Sequence, residues 1–265
     1  MTSKNKIIAI IGGMGPASGE CLQSLLFTEM RNNLCIQNDQ EYIDIIHCSF
    51  GSEIPDRTSF LEGKTTLNPA IPVFKIFQQL ENISLAFKRP IVGCISCNTF
   101  FAPPIFDHFK ELWEKKTLHH IQYLNLVEHT TNFTLSQFQS GDKIGLISTT
   151  GERKLKIYQK LLEEKGLEIL HLDIERQQKL HQAIYDVKSN PFDSHKAHTI
   201  ILDAISLLLS QGAQKVLLGC TEISLVINQH GFNPLQHIDP LRVIAQELLK
   251  EASFPFFGTN VKGFS

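Results

Sequence analysis

Two short stretches carry the same chemistry. Residues 91–99 read IVGCISCNT and residues 215–222 read KVLLGCTE. Each is an apolar run ending near a cysteine, Cys97 or Cys220. Polar side chains follow at once: Asn98 and Thr99 after the first, Thr221 after the second. A lone cysteine is commonly a small buried hydrophobe. The repetition argues against that reading for this pair. Two thiols facing each other across a cleft suit a proton transfer at carbon. One thiolate removes a proton, and the other thiol returns one on the opposite face. A free thiol titrates at about 8.5, and a helix N-terminus lowers it, so acid and base roles are both within reach at neutral pH.

Other motifs read differently. Cys94 forms a C-x-x-C with Cys97. It lies inside the apolar run, whereas a redox pair would open a helix, so it is taken as a core residue. A zinc site would need a second pair of ligands at suitable spacing, and none is present, so no metal is expected. GGMGPASG (12–19) invites a nucleotide reading. Its last glycine falls one place late for the dinucleotide pattern, and no Gly-Lys-Ser/Thr ending follows.

The elements that must position these residues are legible from periodicity. Apolar strands are expected at 6–11, 42–49, 91–96, 121–126, 143–148, 167–173 and 215–219, with a short one in LQHIDP. Helices are expected at 20–32, 69–88, 106–115, 127–138, 154–166, 177–188, 195–212 and 241–252, with IPDRT as a polar loop. Strands alternating with helices predict parallel sheets covered on both faces. The rhythm appears twice, with a division near residue 118. The expected fold class is therefore α/β. Two similar halves each carry a mostly parallel sheet flanked by helices, with the active site in the cleft between them. Residues 1–117 plus about 226–265 form the first unit, and 118–225 the second. Ligands in such sheets bind beyond the carboxyl ends of strands, where GGMGPASG, CNTF, TTGE and GCTE fall. Backbone N–H groups at such turns favour an anion, so a small carboxylate is the expected ligand class. The aromatic tail, FPFFGTNVKGFS, is expected to pack on the surface or on a neighbouring subunit.

Bulk properties exclude several functions. The chain has 265 residues, 42% hydrophobic and 20% charged, with net charge −2. That composition fits a soluble globular protein and provides no basic stripe for nucleic acid or an anionic membrane. No apolar run approaches the roughly 20 residues of a spanning helix. The apolar part of IIAIIGG reads as a first strand, not a secretory signal. Six cysteines in a chain of this length point to free thiols in a reducing cytoplasm.

The sequence resembles the aspartate/glutamate racemases that work without a cofactor, over about residues 6–250. The resemblance is carried by IIGGMGP (10–16), IPDRT (54–58), CNT (97–99), STTG (148–151), IYQKLLEEKG (157–166), VKSN (187–190), LGCTEISL (218–225) and IDPL (238–241). GGMGP and GCTE resemble the aspartate racemase branch; glutamate racemases tend to carry a histidine where Glu222 stands. The resemblance implies interconversion of L- and D-aspartate, or glutamate, without pyridoxal phosphate. It makes Cys97 and Cys220 the catalytic pair, the first serving the D-enantiomer and the second the L-enantiomer. It assigns Asn98, Thr99, Thr149 and Thr221 to the α-carboxylate and amino group, and Arg57 and Lys188 to the side-chain carboxylate. Met14 and Glu222 join the substrate contacts. A homodimer acting on a small dicarboxylic amino acid is also implied. On the residues alone, Arg57 and Lys188 would read as exposed loop charges.

Two departures stand out. The family's usual C-N-T-A-H is C-N-T-F-F here, so Phe100 is expected to narrow the site or alter the loop. Glu152 stands where threonine is common. Two alternatives follow: a catalytically weak amino-acid-binding or regulatory protein on a racemase scaffold, and a single-base isomerase or decarboxylase. Retention of both cysteines favours the two-base racemase.

Overall fold

The computed structural model describes residues 5–253. The first strand, β1 (Ile7–Gly12), is buried along its whole length. A continuous apolar run of this kind belongs to a parallel strand covered on both faces. It pairs in parallel with β2 (Ile45–Ser49) and β3 (Ile91–Ile95), and β3 pairs with β4 (Ile121–Leu124). The second sheet repeats the plan with β5 (Lys143–Ile147), β6 (Glu168–Leu170), β7 (Lys215–Leu218) and β8 (His237–Ile238). The strand orders are β2-β1-β3-β4 and β6-β5-β7-β8. The chain is therefore an α/β fold of two four-stranded parallel sheets flanked by helices.

This order decides where a ligand can sit. The direction of strand addition reverses between β1 and β3, and again between β5 and β7. A crevice opens beyond the carboxyl ends of strands at such a point. GGMGP follows β1, SCNT follows β3, STTG follows β5 and GCTE follows β7. Two switch points thus gather all four motif loops.

Helices cover the sheets: α1 (Pro16–Asn33), α2 (Arg57–Leu61), α3 (Ala70–Phe87), α4 (Pro103–Lys115), α5 (Leu126–Gln137), α6 (Thr150–Leu155), α7 (Ile157–Glu163), α8 (Ile174–Ser189), α9 (His195–Ser210), α10 (Thr221–His230) and α11 (Pro240–Ser253). The last, α11, returns to pack on α1, α5, β1 and β3.

Several expectations need correction. The sheets do not change over near residue 118. Ile121–Leu124 pairs with Ile91–Cys94, so the first sheet runs on to Leu124. His237–Ile238 pairs with β7, so the second sheet includes it. The short segment after α4, with Leu118 buried, leads to the next strand of the same sheet. The helix expected at 154–166 is two helices, broken at Lys156, whose φ of 54° is left-handed. IPDRT is not all loop, because the Asp56 side chain accepts from Ser59 N at 2.8 Å and caps α2. The helix after Cys220 was not foreseen. Helix α1 starts at Pro16, ahead of the periodicity, as a proline at a first helical position permits. The aromatic tail lies outside the described residues. Among the described residues, no helix is long and apolar enough to cross a membrane.

Candidate active site

Cys97 and Cys220 occupy equivalent places. Past the end of β3, Ser96 bonds Ile11 O through its backbone N (3.0 Å) and its Oγ (3.2 Å), tying the turn to β1. Cys97 is extended (φ −153°, ψ 114°) and heads a 3-10 turn, Asn98–Phe101. Cys220 is extended too (φ −145°, ψ 134°) and heads α10. Both are buried, and both line one pocket between the halves. Every residue assigned to the substrate by the resemblance lines it as well: Met14, Arg57, Asn98, Thr99, Thr149, Lys188, Thr221 and Glu222. Asp56 and Thr58 line it too and were missed. Their signal was the D-x-x-S cap in IPDRTS, which makes a helix start of that stretch.

Arg57 is not an exposed charge; it is only 6% exposed. As the first residue of α2 it turns inward, and its guanidinium donates to Met14 O and to Pro55 O, the latter at 3.3 Å. Burial works against its charge. Cys97, Asp56 and Glu222 outweigh that and push its pKa up. Lys188 lies in the last turn of α8, half-buried, with its ammonium 4.7 Å from the Tyr185 ring centroid. Burial again opposes the charge. Glu222 and Cys220 more than compensate, so its pKa is also raised.

The Cys220 thiol donates to Glu222 Oε2 at 3.0 Å. Its pKa is pushed well up, first by burial and then by the Glu222 charge, while Lys188 opposes. A helix N-terminus lowers a thiol pKa in general; at Cys220 burial and the carboxylate win. Glu222→Gln is therefore expected to let Cys220 ionise at lower pH. The readout is the part of the thiolate ultraviolet titration that disappears in Cys220→Ser. An unchanged profile would assign the shift to burial alone.

Three buried polar atoms of the pocket residues lack a protein partner: Arg57 Nε, Asn98 Nδ2 and Glu222 Oε1. Two are donors and one is an acceptor. Such groups are costly to leave unmade. A Cβ at Gly15 would come to 2.5 Å from Glu222 Oε1, so a larger residue there would push that carboxylate aside. Thr221 Oγ1 donates to Glu222 Oε2 at 3.4 Å.

Thr149 caps α6, its Oγ1 accepting from Glu152 N at 3.1 Å. Glu152 itself is fully buried. Burial raises its pKa from 4.5 to about 6. The folded state therefore holds this proton more tightly than the unfolded chain does. Stability is lost as pH rises through that window, and the penalty is complete above it. At about 1.4 kcal/mol per pH unit the cost is about 2 kcal/mol at neutral pH. Glu152→Gln is expected to raise the thermal midpoint at pH 7 and to match wild type near pH 4. A gain that persists unchanged at pH 4 would contradict this.

Phe100 and Phe101 do not narrow the pocket. Both are buried, and neither lines it. Phe100 stacks edge-on against Phe109 (5.5 Å) and Phe101 packs on Phe106 (5.1 Å). The 3-10 turn sends Asn98 and Thr99 toward the pocket and the two phenylalanines back against α4. Among the described residues, no cluster of three or more His, Cys, Asp or Glu side chains is placed to hold a metal ion.

Known proteins share this architecture. An aspartate racemase from Picrophilus torridus is 24% identical, with 94% of each chain covered and a TM-score of 0.70. An aspartate racemase homologue from Pyrococcus horikoshii is 22% identical over 94% of this chain and 99% of that one, with a TM-score of 0.67. An uncharacterised protein of Pectobacterium carotovorum is 29% identical over 121 residues, covering 45% of this chain and 77% of that one. At these identities the two solved structures establish the fold. The model of the Asp/Glu/hydantoin racemase family matches residues 11–248, nearly the whole described chain, and on that match this protein belongs to the Asp/Glu/hydantoin racemase family.

Proposed function

We propose that the chain is a pyridoxal-phosphate-independent racemase that interconverts L- and D-aspartate, or the glutamate pair, by 1,1-proton transfer between Cys97 and Cys220. The observation that carries this is the two cysteines at matched strand ends, lining one pocket with both of its cations. The unpartnered atoms supply further support. An acidic amino acid brings an α-carboxylate for Asn98 Nδ2, an ammonium for Glu222 Oε1 and a side-chain carboxylate for Arg57 Nε. Arg57 and Lys188 favour a second carboxylate over a neutral side chain. Family membership and the aspartate racemase neighbours point the same way.

The chemical difficulty is the weak acidity of the Cα–H bond. Fixed donors at the carboxylate would stabilise the enediolate-like charge that forms as the proton leaves. Burial of both sulfurs keeps water from competing for that proton. Cys220 begins as a thiol held by Glu222, whereas a charge on Cys97 would face the Arg57 guanidinium. That asymmetry suits a pair in which one member gives a proton and the other takes one. Glu222 is the acceptor through which Cys220 exchanges its proton. A homodimer in a reducing cytoplasm belongs to the same reading as what the resemblance implies, and all six cysteines are unpaired.

The weak-binder alternative rested on Phe100 and Phe101, which face away from the pocket. Incubation with L-aspartate and L-glutamate, freed of pyridoxal phosphate, tests the reading by chiral chromatography. One of the two should approach a racemic mixture. If both keep their configuration, the assignment fails.

A further inference from the structure

We propose that Tyr158 is a positioning residue: it fixes which way the Asn98 amide faces and so presents the amide nitrogen to the substrate carboxylate. This rests on the racemase reading above for the identity of the substrate, but not for the geometry.

The Tyr158 hydroxyl donates to Asn98 Oδ1 at 2.5 Å, and the bond is buried. Tyr158 comes from α7 in the second half, and Asn98 from the loop after β3 in the first. A phenol donates to an amide only through the carbonyl oxygen but can accept from its NH₂ group, so it is the hydroxyl proton, directed at Asn98 Oδ1, that selects this orientation. With that oxygen engaged, the NH₂ group is turned the other way. Asn98 Nδ2 has no protein partner, and Asn98 lines the pocket. A flipped amide would present an oxygen to an incoming carboxylate and place two acceptors face to face. The bond to Tyr158 therefore separates a carboxylate-binding pocket from a carboxylate-repelling one.

Tyr158 is itself held in place. Helix α7 restarts after the left-handed turn at Lys156 and has no side-chain cap at that residue. Glu152 Oε1 instead accepts from Tyr158 N at 3.1 Å, and Glu152 N donates to Thr149 Oγ1. A continuous chain, Thr149–Glu152–Tyr158–Asn98, thus runs from the loop after β5 to the loop after β3. It couples the loop bearing Cys97 to the opposite sheet. Burial keeps the phenol protonated, so it remains a donor throughout the working pH range.

Tyr158→Phe removes the hydroxyl and keeps the ring. One hydrogen bond's worth of orientation corresponds to about a tenfold change. The expected result is a KM for the active amino acid raised about tenfold, with kcat changed much less. In an Asn98→Ala background the same replacement should cost nothing further, because the amide it orients is gone. 3-Fluorotyrosine at position 158 keeps the hydroxyl and should restore the wild-type KM. An equal cost in both backgrounds, or an unchanged KM, would overturn the proposal. A second arm needs no turnover. The Asn98 side-chain NH₂ resonances, identified by their loss in Asn98→Ala, should shift in Tyr158→Phe. Should that variant fail to fold, they should shift in the fluorotyrosine protein, whose hydroxyl is the stronger donor. Unmoved resonances would refute the contact's role even if the protein races no amino acid. Absence of turnover with shifted resonances would instead count against the racemase assignment alone.

Discussion

Replacing either Cys97 or Cys220 by serine is expected to cut racemisation at least about a thousandfold, the upper range for loss of a general acid or base. Serine matches the thiol in shape, but its hydroxyl is a far weaker acid. The two variants should differ in what survives. With Cys220 intact, Cys97→Ser should still exchange the α-proton of the L-enantiomer; Cys220→Ser should exchange only that of the D-enantiomer. The resting asymmetry makes the comparison informative. Cys220 donates to Glu222 at 3.0 Å, whereas Cys97 lies beside the Arg57 guanidinium. Both variants should fold, since each thiol accounts for little of a core that runs through both sheets. Racemisation by Cys97→Ser at the wild-type rate would rule out the two-thiol scheme. Loss in one variant only would favour a single-base isomerase.

Arg57→Ala carries the second large effect. The guanidinium braces the loop after β1 by donating to Met14 O, and it offsets the negative charge of Asp56 and Glu222. Breaking a buried charge network by removing one partner costs about 3–5 kcal/mol. That is a cost in stability. Separately, losing the guanidinium from the pocket should lower kcat/KM about a hundredfold, the worth of a hydrogen bond to a charged group. Preference for a dicarboxylic amino acid over alanine should fall with it. Arg57→Lys should recover only part of the loss, because an ammonium cannot span two carbonyls as the planar fork does. The check is kcat/KM for aspartate, glutamate and alanine, with a thermal midpoint for each variant. Wild-type kcat/KM and selectivity in Arg57→Ala would remove Arg57 from the substrate site.

The strands were legible because parallel strands buried on both faces are continuous apolar runs. Ile7–Gly12 and Ile91–Ile95 could hardly be read otherwise. Their neighbours in the sheet were not legible, since pairing depends on contacts distant in sequence. That is why Ile121–Leu124 was placed on the wrong side of a division that the repeated strand–helix rhythm suggested. Local backbone choices were hidden as well. Nothing in KLKIYQKLLEEKG announces a left-handed turn at Lys156, because lysine is not a residue that favours one. The break matters, since it swings Tyr158 toward Asn98. The two cysteines stood out because their loops repeat one grammar, whereas the other candidate site residues came from the family resemblance. The electrostatics of the site were not legible. Arg57 looked like a loop charge until its cap, Asp56, was seen to begin a helix that turns it inward. Glu222 looked like a simple substitution of a histidine, yet it holds the thiol of Cys220. The phenylalanines after CNT seemed to threaten the site, and only the direction of the 3-10 turn shows that they pack against α4.

The most direct test of the central claim is proton NMR in D₂O under reducing conditions, without pyridoxal phosphate, on separate samples of D- and L-aspartate and D- and L-glutamate. The two-thiol account predicts loss of the α-proton signal from both enantiomers of one amino acid, with racemisation to match. An α-proton signal that persists in all four samples would contradict it.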